Sequence, residues 1–348
     1  MTIVVADQGL LGLAEMAPSD WQIRRYDGRV IADSQLDQAD ALLVRSTVRL
    51  DPERLPESVR FIGTATIGTD HLPLEALVER GIQVVSAPGC NALAVTDYVL
   101  SQCMDWAASR GRDWQQLRLA VVGMGQVGGR LAVRAKRFGM TVLASDAPRF
   151  AATTLPEHVP MLDAIRDADV VSVHVPLTDQ GPFATRGLLH LETLATMRSD
   201  QLFINAARGA VVPLDALVSS HCDLVLDVFP HEPVICDALL ARAWRLSPHI
   251  AGHSVEGKVR GTRIIVESLC AHLKMDVPAF DEAVFCAQIA PRPSLPSEAA
   301  KIAACCPMGA VDQALRTAMA ERPMAERGEA FDAVRRAYVL RRESVVDF

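Results

Sequence analysis

Three short segments in the second half of the chain carry side chains able to grip an anion and move a proton. "INAARGAVV" sets Arg208 after an apolar run, "LDVFPHEP" brings Asp227 and Glu232 into a proline-bounded turn, and "SPHIAGHSVEGKVRG" offers His249 and His253 four residues apart. Taken singly, each has a plain reading: a loop arginine in solvent, a glutamate on a surface turn, a histidine with its ring satisfied. Together they suit a substrate with both a carboxylate and a hydroxyl. An arginine grips a carboxylate through two parallel hydrogen bonds, a histidine exchanges the hydroxyl proton, and a glutamate beside the imidazole orients it and favours its protonated form. A histidine pair at this spacing also binds zinc on a helix, but Gly252 and the turn-like "PHIAG" break that geometry. No third ligand stands nearby, so no metal is expected.

A second kind of chemistry is written in "VVGMGQVGGRLAVRAKRFGMTVLASD". Gly123, Gly125 and Gly128 follow an apolar run and open a helical pattern. The first glycine permits a tight turn, the second lets a pyrophosphate approach the backbone, and the third permits close helix packing. The helix N-terminus presents free N–H groups to the phosphates. Asp146 closes the following run at the interval expected of a ribose-binding carboxylate, which repels a 2′-phosphate and favours NAD over NADP. Arg149, three residues on, pulls the other way.

Such residues need rigid elements to hold them. Half of the 348 residues are apolar, enough for more than one core. Short β-branched runs alternate with helical patterns, as in parallel sheets with crossover helices. "TIVVAD", "DALLVRS", "RFIGTAT" and "IQVVSAP" form a first series, and "LRLAVVG", "TVLASD", "ADVVSVHV", "LFINAA" and "LVLDVF" a second. The chain is therefore expected to be α/β, with two doubly wound parallel sheets. Residues Asn91–Ser109 read as a helix joining the two, and "TRIIVESLCAHLK" as a helix returning to the first. The proline-rich stretch Asp276–Pro307 reads as a linker, and Phe331, Val334 and Tyr338 mark a late helix. The net charge of −7 speaks against nucleic acid or an anionic membrane as partner. The start lacks a basic leader and no run approaches the roughly 20 apolar residues of a membrane span, so a cytoplasmic protein is expected. The eight cysteines lack zinc-ligand spacing and read as reduced thiols.

The order GxGxxG, "ARG", "DVFPHEP", "PHIAG" resembles that of the D-isomer-specific 2-hydroxyacid dehydrogenases over roughly residues 1–275. "ALLVRST", "GTATIGTDH", "APGCNALAVTDYV", "HIAGHSVEGKVRGT" and "FDAVRRAYVLRRE" narrow the likeness to a branch acting on a phosphorylated 2-hydroxy acid. The resemblance implies a flavodoxin-like substrate domain over 1–95, completed by about 262–275, and a Rossmann NAD domain over 96–261. A small C-terminal α/β extension over 276–348 would serve a homodimer. It implies Arg208, Glu232 and His249 as catalytic residues, with Arg208 on the carboxylate and Glu232 supporting His249. It further places Gln126, Val127, Ala206, Asp227 and Gly252 at the cofactor, and Ser46, Thr66 and position 253 at the substrate. That branch carries a tyrosine where this chain has His253. From charge alone, Arg45, Arg49, Lys258 and Arg260 are candidates for a substrate phosphate. Two other readings stay open: a dehydrogenase of the phosphoglycerate or glyoxylate type, and a non-enzymatic NAD-sensing regulator.

Overall fold

The computed structural model describes residues 1–153, 157–292, 294–320 and 322–345. They divide into two compact units. The first comprises Met1–Asn91 and His253–Arg292. Its strands are β1 (Thr2–Asp7), β2 (Trp21–Tyr26), β3 (Ala41–Val44), β4 (Phe61–Thr64) and β5 (Gln83–Val85). All pair in parallel in the order β2-β1-β3-β4-β5, the flavodoxin-like arrangement, which reverses direction between β1 and β3. Helices cover parallel sheets on both faces, so β3 and β4 are continuous buried runs rather than alternating ones. The helix Val255–Leu273 packs on β4. Gly63 permits that approach: a Cβ there would stand 2.8 Å from Cβ of Ile265. Ser254 starts the helix by accepting from the Gly257 N–H at 2.9 Å.

The second unit comprises Ala92–Gly252 and the described residues of Pro293–Phe348. Its strands are β6 (Arg118–Val122), β7 (Thr141–Ser145), β8 (Val170–Val173), β9 (Leu202–Asn205), β10 (Asp223–Leu226) and β11 (Arg245–Leu246). They too are parallel, in the order β11-β10-β9-β8-β6-β7, with the reversal between β6 and β8. Successive side chains leave a strand on opposite faces. Ala120, Val122 and Phe203 therefore enter one core, and Leu119, Val121, Leu202 and Ile204 the other.

The boundary between the units falls earlier than the sequence suggested, since residues 253–261 belong to the first unit with the helix they begin. The C-terminal region differs more. The expected linker holds two helices, Glu282–Ile289 and Glu298–Cys305, capped by Asp281 and Ser297. Instead of an α/β extension, the described tail continues as helices Met308–Ala320 and Arg327–Ala337. It divides between the units rather than standing apart. Among the described residues no helix is long and apolar enough to cross a membrane.

Candidate active site

Both chemistries lie at strand ends of the second unit, where open parallel sheets collect ligands. Gly123 ends β6 with φ +93°, and a Cβ there would come within 2.8 Å of the His174 backbone beyond β8. Gly128 packs still closer, its Cβ position lying 1.9 Å from the Gly123 carbonyl. Gly125 is the opposite case. A Cβ there meets no protein atom within 4 Å, and Met124, Gly125, Gln126, Arg130 and Arg149 line an open groove. Helix Gln126–Arg137 starts at this point, turning the N–H groups of Gln126 and Val127 toward that space. The room beside Gly125 fits a dinucleotide pyrophosphate.

Asp146, the residue after β7, accepts from the Met124 N–H at 2.7 Å and from the Arg149 N–H at 2.9 Å. Its carboxylate ties the glycine turn to the next helix, and each oxygen keeps acceptor capacity for a ribose hydroxyl. Arg149 folds its guanidinium onto the Met124 carbonyl. His174 is half-buried, its Nε2 lies 2.9 Å from Ser172 Oγ, and desolvation of the ring pushes its pKa down to about 3. A neutral ring therefore underlies the point where the sheet reverses.

The acid/base set is assembled by the loops after β10 and β11. His249 Nδ1 lies 2.7 Å from Glu232 Oε1. Burial alone would raise the Glu232 carboxyl, but the charge and hydrogen bond of His249, with Arg335 farther off, outweigh it and hold the group below its ordinary value. Glu232 is thus a carboxylate at neutral pH, accepts from Nδ1–H and leaves Nε2 for a substrate proton. Both side chains remain partly open, with 35% and 24% of their surface exposed. His249 has φ +55°, a left-handed conformation costing about 1–2 kcal/mol for a residue with a Cβ.

Asp227 holds that conformation in place. Buried at 1% exposure, it accepts from Ser247 Oγ at 2.6 Å, the Ile250 N–H at 2.8 Å and the Ala251 N–H at 2.9 Å. Its own backbone carbonyl accepts from the His249 N–H at 2.8 Å. Tyr98 OH completes the chain, 2.8 Å from Ser247 Oγ. Burial pushes the Asp227 carboxyl up, with His249 and these hydrogen bonds opposing. Asp227 therefore organises the loop that carries His249, a role its spacing did not announce.

Arg208 stands after β9, half-buried, with Nη1 on the Ala207 carbonyl at 2.9 Å. Asn205 fixes the turn by donating to the Arg208 carbonyl at 3.0 Å and accepting from the Ala207 N–H at 3.1 Å. Gly209 brings this turn against the next loop: a Cβ there would lie 1.9 Å from the Phe229 carbonyl. The Arg208 turn is thereby set on the backbone that leads to Glu232. Ala206, directly after β9, is half-buried, and Gly252 is the last residue of the unit's first segment.

The other expected substrate contacts belong to the first unit. Ser46 is exposed after β3, and Thr66 follows β4, donating to the Gly68 carbonyl at 3.0 Å and lying 2.8 Å from Thr64 Oγ1. His253 is half-buried at the start of the returning segment. Among the basic candidates, the partners of Arg45 and Arg260 are defined. Arg45 pairs with buried Asp7 at 2.8 Å, and Arg260 donates to the Cys90 carbonyl at 2.9 Å and faces Glu282 at 3.6 Å. Among the described residues no cluster of three or more His, Cys, Asp or Glu side chains is placed to hold a metal.

Comparison with known proteins places these features. The profile for the D-isomer specific 2-hydroxyacid dehydrogenase NAD binding domain matches residues 94–251. An erythronate-4-phosphate dehydrogenase of Marinobacter nauticus is 41% identical over 98% of this chain and 92% of its own length. Another, from Azotobacter vinelandii, is 43% identical over 77% of this chain and 72% of its own. Among solved structures, the NAD⁺-bound 3-phosphoglycerate dehydrogenase of Entamoeba histolytica shares the fold, with a TM-score of 0.65 at 19% identity. It covers 79% of this chain and 96% of its own.

Proposed function

The chain belongs to the D-isomer specific 2-hydroxyacid dehydrogenases and, from that premise, we propose that it oxidises 4-phospho-D-erythronate to 2-oxo-3-hydroxy-4-phosphobutanoate in pyridoxal 5′-phosphate synthesis. The pairing of His249 Nδ1 with Glu232 Oε1 at 2.7 Å carries the chemical part of this reading. The substrate follows from the named relatives that match nearly the whole chain. Gly123, Gly125, Gln126, Val127, Gly128 and Asp146 would hold NAD, which would supply the hydride acceptor for C2. Arg208 binds the carboxylate through its guanidinium fork. Neutral His249 takes the C2 hydroxyl proton on Nε2 as that carbon is oxidised, and Glu232 stabilises the imidazolium that results. Ala206 and Gly252 are assigned to the cofactor, and Asp227 acts behind them on the His249 loop. Ser46, Thr66 and His253 are assigned to the substrate. His253 keeps a hydrogen-bond donor where the family resemblance implies a tyrosine and would add a group able to carry charge near the phosphate.

The test is NADH formation in a single turnover, which detects product even if NADH leaves slowly. 4-Phospho-D-erythronate is expected to be oxidised to completion of one turnover, with 3-phosphoglycerate and unphosphorylated erythronate slower by about 100-fold or more, as expected when a charged group of the substrate goes unmatched. Equal rates would remove the phosphate from the specificity argument. No NADH from any of the three, with NAD still bound, would favour a nucleotide sensor. Asp146→Ala is expected to raise the KM for NAD by about tenfold and to narrow its advantage over NADP, since Arg149 then faces the ribose without the carboxylate. An unchanged NAD/NADP ratio would sink the ribose assignment. The reading includes a homodimer in the cytoplasm, with Val277, Val284 and Ile289, exposed on the segment after the returning helix, as the apolar surface to be covered.

A further inference from the structure

The two residues after His249 are held through both their N–H groups and their carbonyls. Asp227 takes the N–H groups of Ile250 and Ala251, and Arg341 takes their carbonyls, with Nη1 on Ile250 at 3.1 Å and Nη2 on Ala251. The same guanidinium reaches the Ala94 carbonyl at 3.0 Å and the Tyr338 hydroxyl at 3.0 Å. Arg341 is 7% exposed. A charge removed from water to that extent is tolerated only where acceptors take its protons, and here backbone carbonyls from two separate segments engage Nη1 and Nη2.

The tail is anchored on either side of this residue. Before it, helix Arg327–Ala337 packs through Phe331 edge-on against Phe229, ring centres 5.9 Å apart, and Arg327 donates to the Ile235 carbonyl at 2.9 Å. Both contacts fall on the loop that carries Glu232. After it, Ser344 donates to Asp97 through its N–H at 2.8 Å and its hydroxyl at 2.6 Å, and Arg134 pairs with Asp97 at 2.6 Å in a fully buried site. Arg341 is thus delivered to the back of the His249 loop by a tail fixed at both ends. Its planar fork sets the spacing of three carbonyls at once, which a flexible ammonium does not reproduce.

We infer that Arg341 is a positioning residue for the acid/base pair, holding the backbone after His249 so that the imidazole stays on Glu232. The inference rests on the assignment of His249 as proton acceptor. Arg341→Met is the direct test, with Arg341→Lys as the conservative partner. In Arg341→Met, kcat is expected to fall about 10- to 100-fold with the KM for substrate within about threefold, the effect of a displaced catalytic group. NADH affinity should stay within about twofold, and amide exchange at Ile250 and Ala251 should accelerate about tenfold or more. Arg341→Lys should recover part of kcat. A kcat within about twofold of wild type overturns the inference whatever the exchange does. If the methionine variant does not fold, the lysine variant is judged by the same measures, and full activity in it is the overturning result. If the wild type proves inert toward 4-phospho-D-erythronate, the substrate reading fails separately. Exchange at Ile250 and Ala251 then decides the inference alone, and unchanged rates overturn it.

Discussion

His249→Asn is expected to lower kcat/KM by about 10²- to 10⁴-fold while NADH binding stays within about twofold, the range over which positioned acid/base groups act. Asparagine suits this test because the backbone at 249 has φ +55°, a conformation asparagine adopts more readily than most residues. The loop therefore keeps its shape while the imidazole proposed to take the C2 proton is removed. The pyrophosphate seat lies on other elements, at the end of β6 and the start of helix Gln126–Arg137, so cofactor affinity reports independently on folding. Loss of turnover and NADH binding together would mark a structural histidine instead. Glu232→Gln separates orientation from charge, because the amide oxygen still accepts from Nδ1–H but no longer balances the imidazolium. Replacing a charged by a neutral hydrogen bond costs about 1 to 1.5 kcal/mol, or about tenfold in rate. A glutamine variant as slow as His249→Asn would mean that the glutamate takes part in proton transfer itself.

What was legible in the sequence divides along a physical line. Strands buried on both faces are short apolar runs wherever they occur, so β1, β3 and the strands of the second sheet through β10 could be read directly. Strand β2 could not, because "WQIRRY" puts Arg24 and Arg25 in an edge strand that is only partly covered. Strand β11 has two residues, too few for any pattern. The caps at Asp281 and Ser297 were obscured by the prolines around them, and the helices they start were read as linker. In the site, Gly123, Asp146, Glu232 and His249 announce themselves through local motifs. The residues that steady them do not. Asp227 holds amides 23 and 24 positions away, and Arg341 holds carbonyls 91 and 90 positions away, pairings that no local spacing encodes. In "LRRE" an arginine looks like a solvated charge, and only the fold buries it.

Arg208→Ala is expected to cost at least about 10²-fold in kcat/KM for the 2-hydroxy acid, close to 3 kcal/mol, because a charge-assisted, two-point grip on the carboxylate is lost. The placement of the residue supports a large effect. Asn205 fastens the turn through two hydrogen bonds, and Gly209 seats it on the Phe229 backbone, so the guanidinium projects from a rigid base beside the loop of Glu232. One Nη is already held on the Ala207 carbonyl, which limits how far the fork can swing away. An arginine that only binds substrate would raise KM and spare kcat. One that also fixes C2 over the cofactor would lower kcat as well, and the rigidity of this turn favours the second outcome. Arg208→Lys distinguishes charge from geometry: lysine keeps the positive charge but offers no parallel pair of donors, so a deficit of about tenfold or more should remain. If Arg208→Ala left both parameters essentially unchanged, the carboxylate would have to be bound elsewhere. The basic residues of the first unit would then be the next to test, beginning with Arg45, whose Nε is already oriented by buried Asp7.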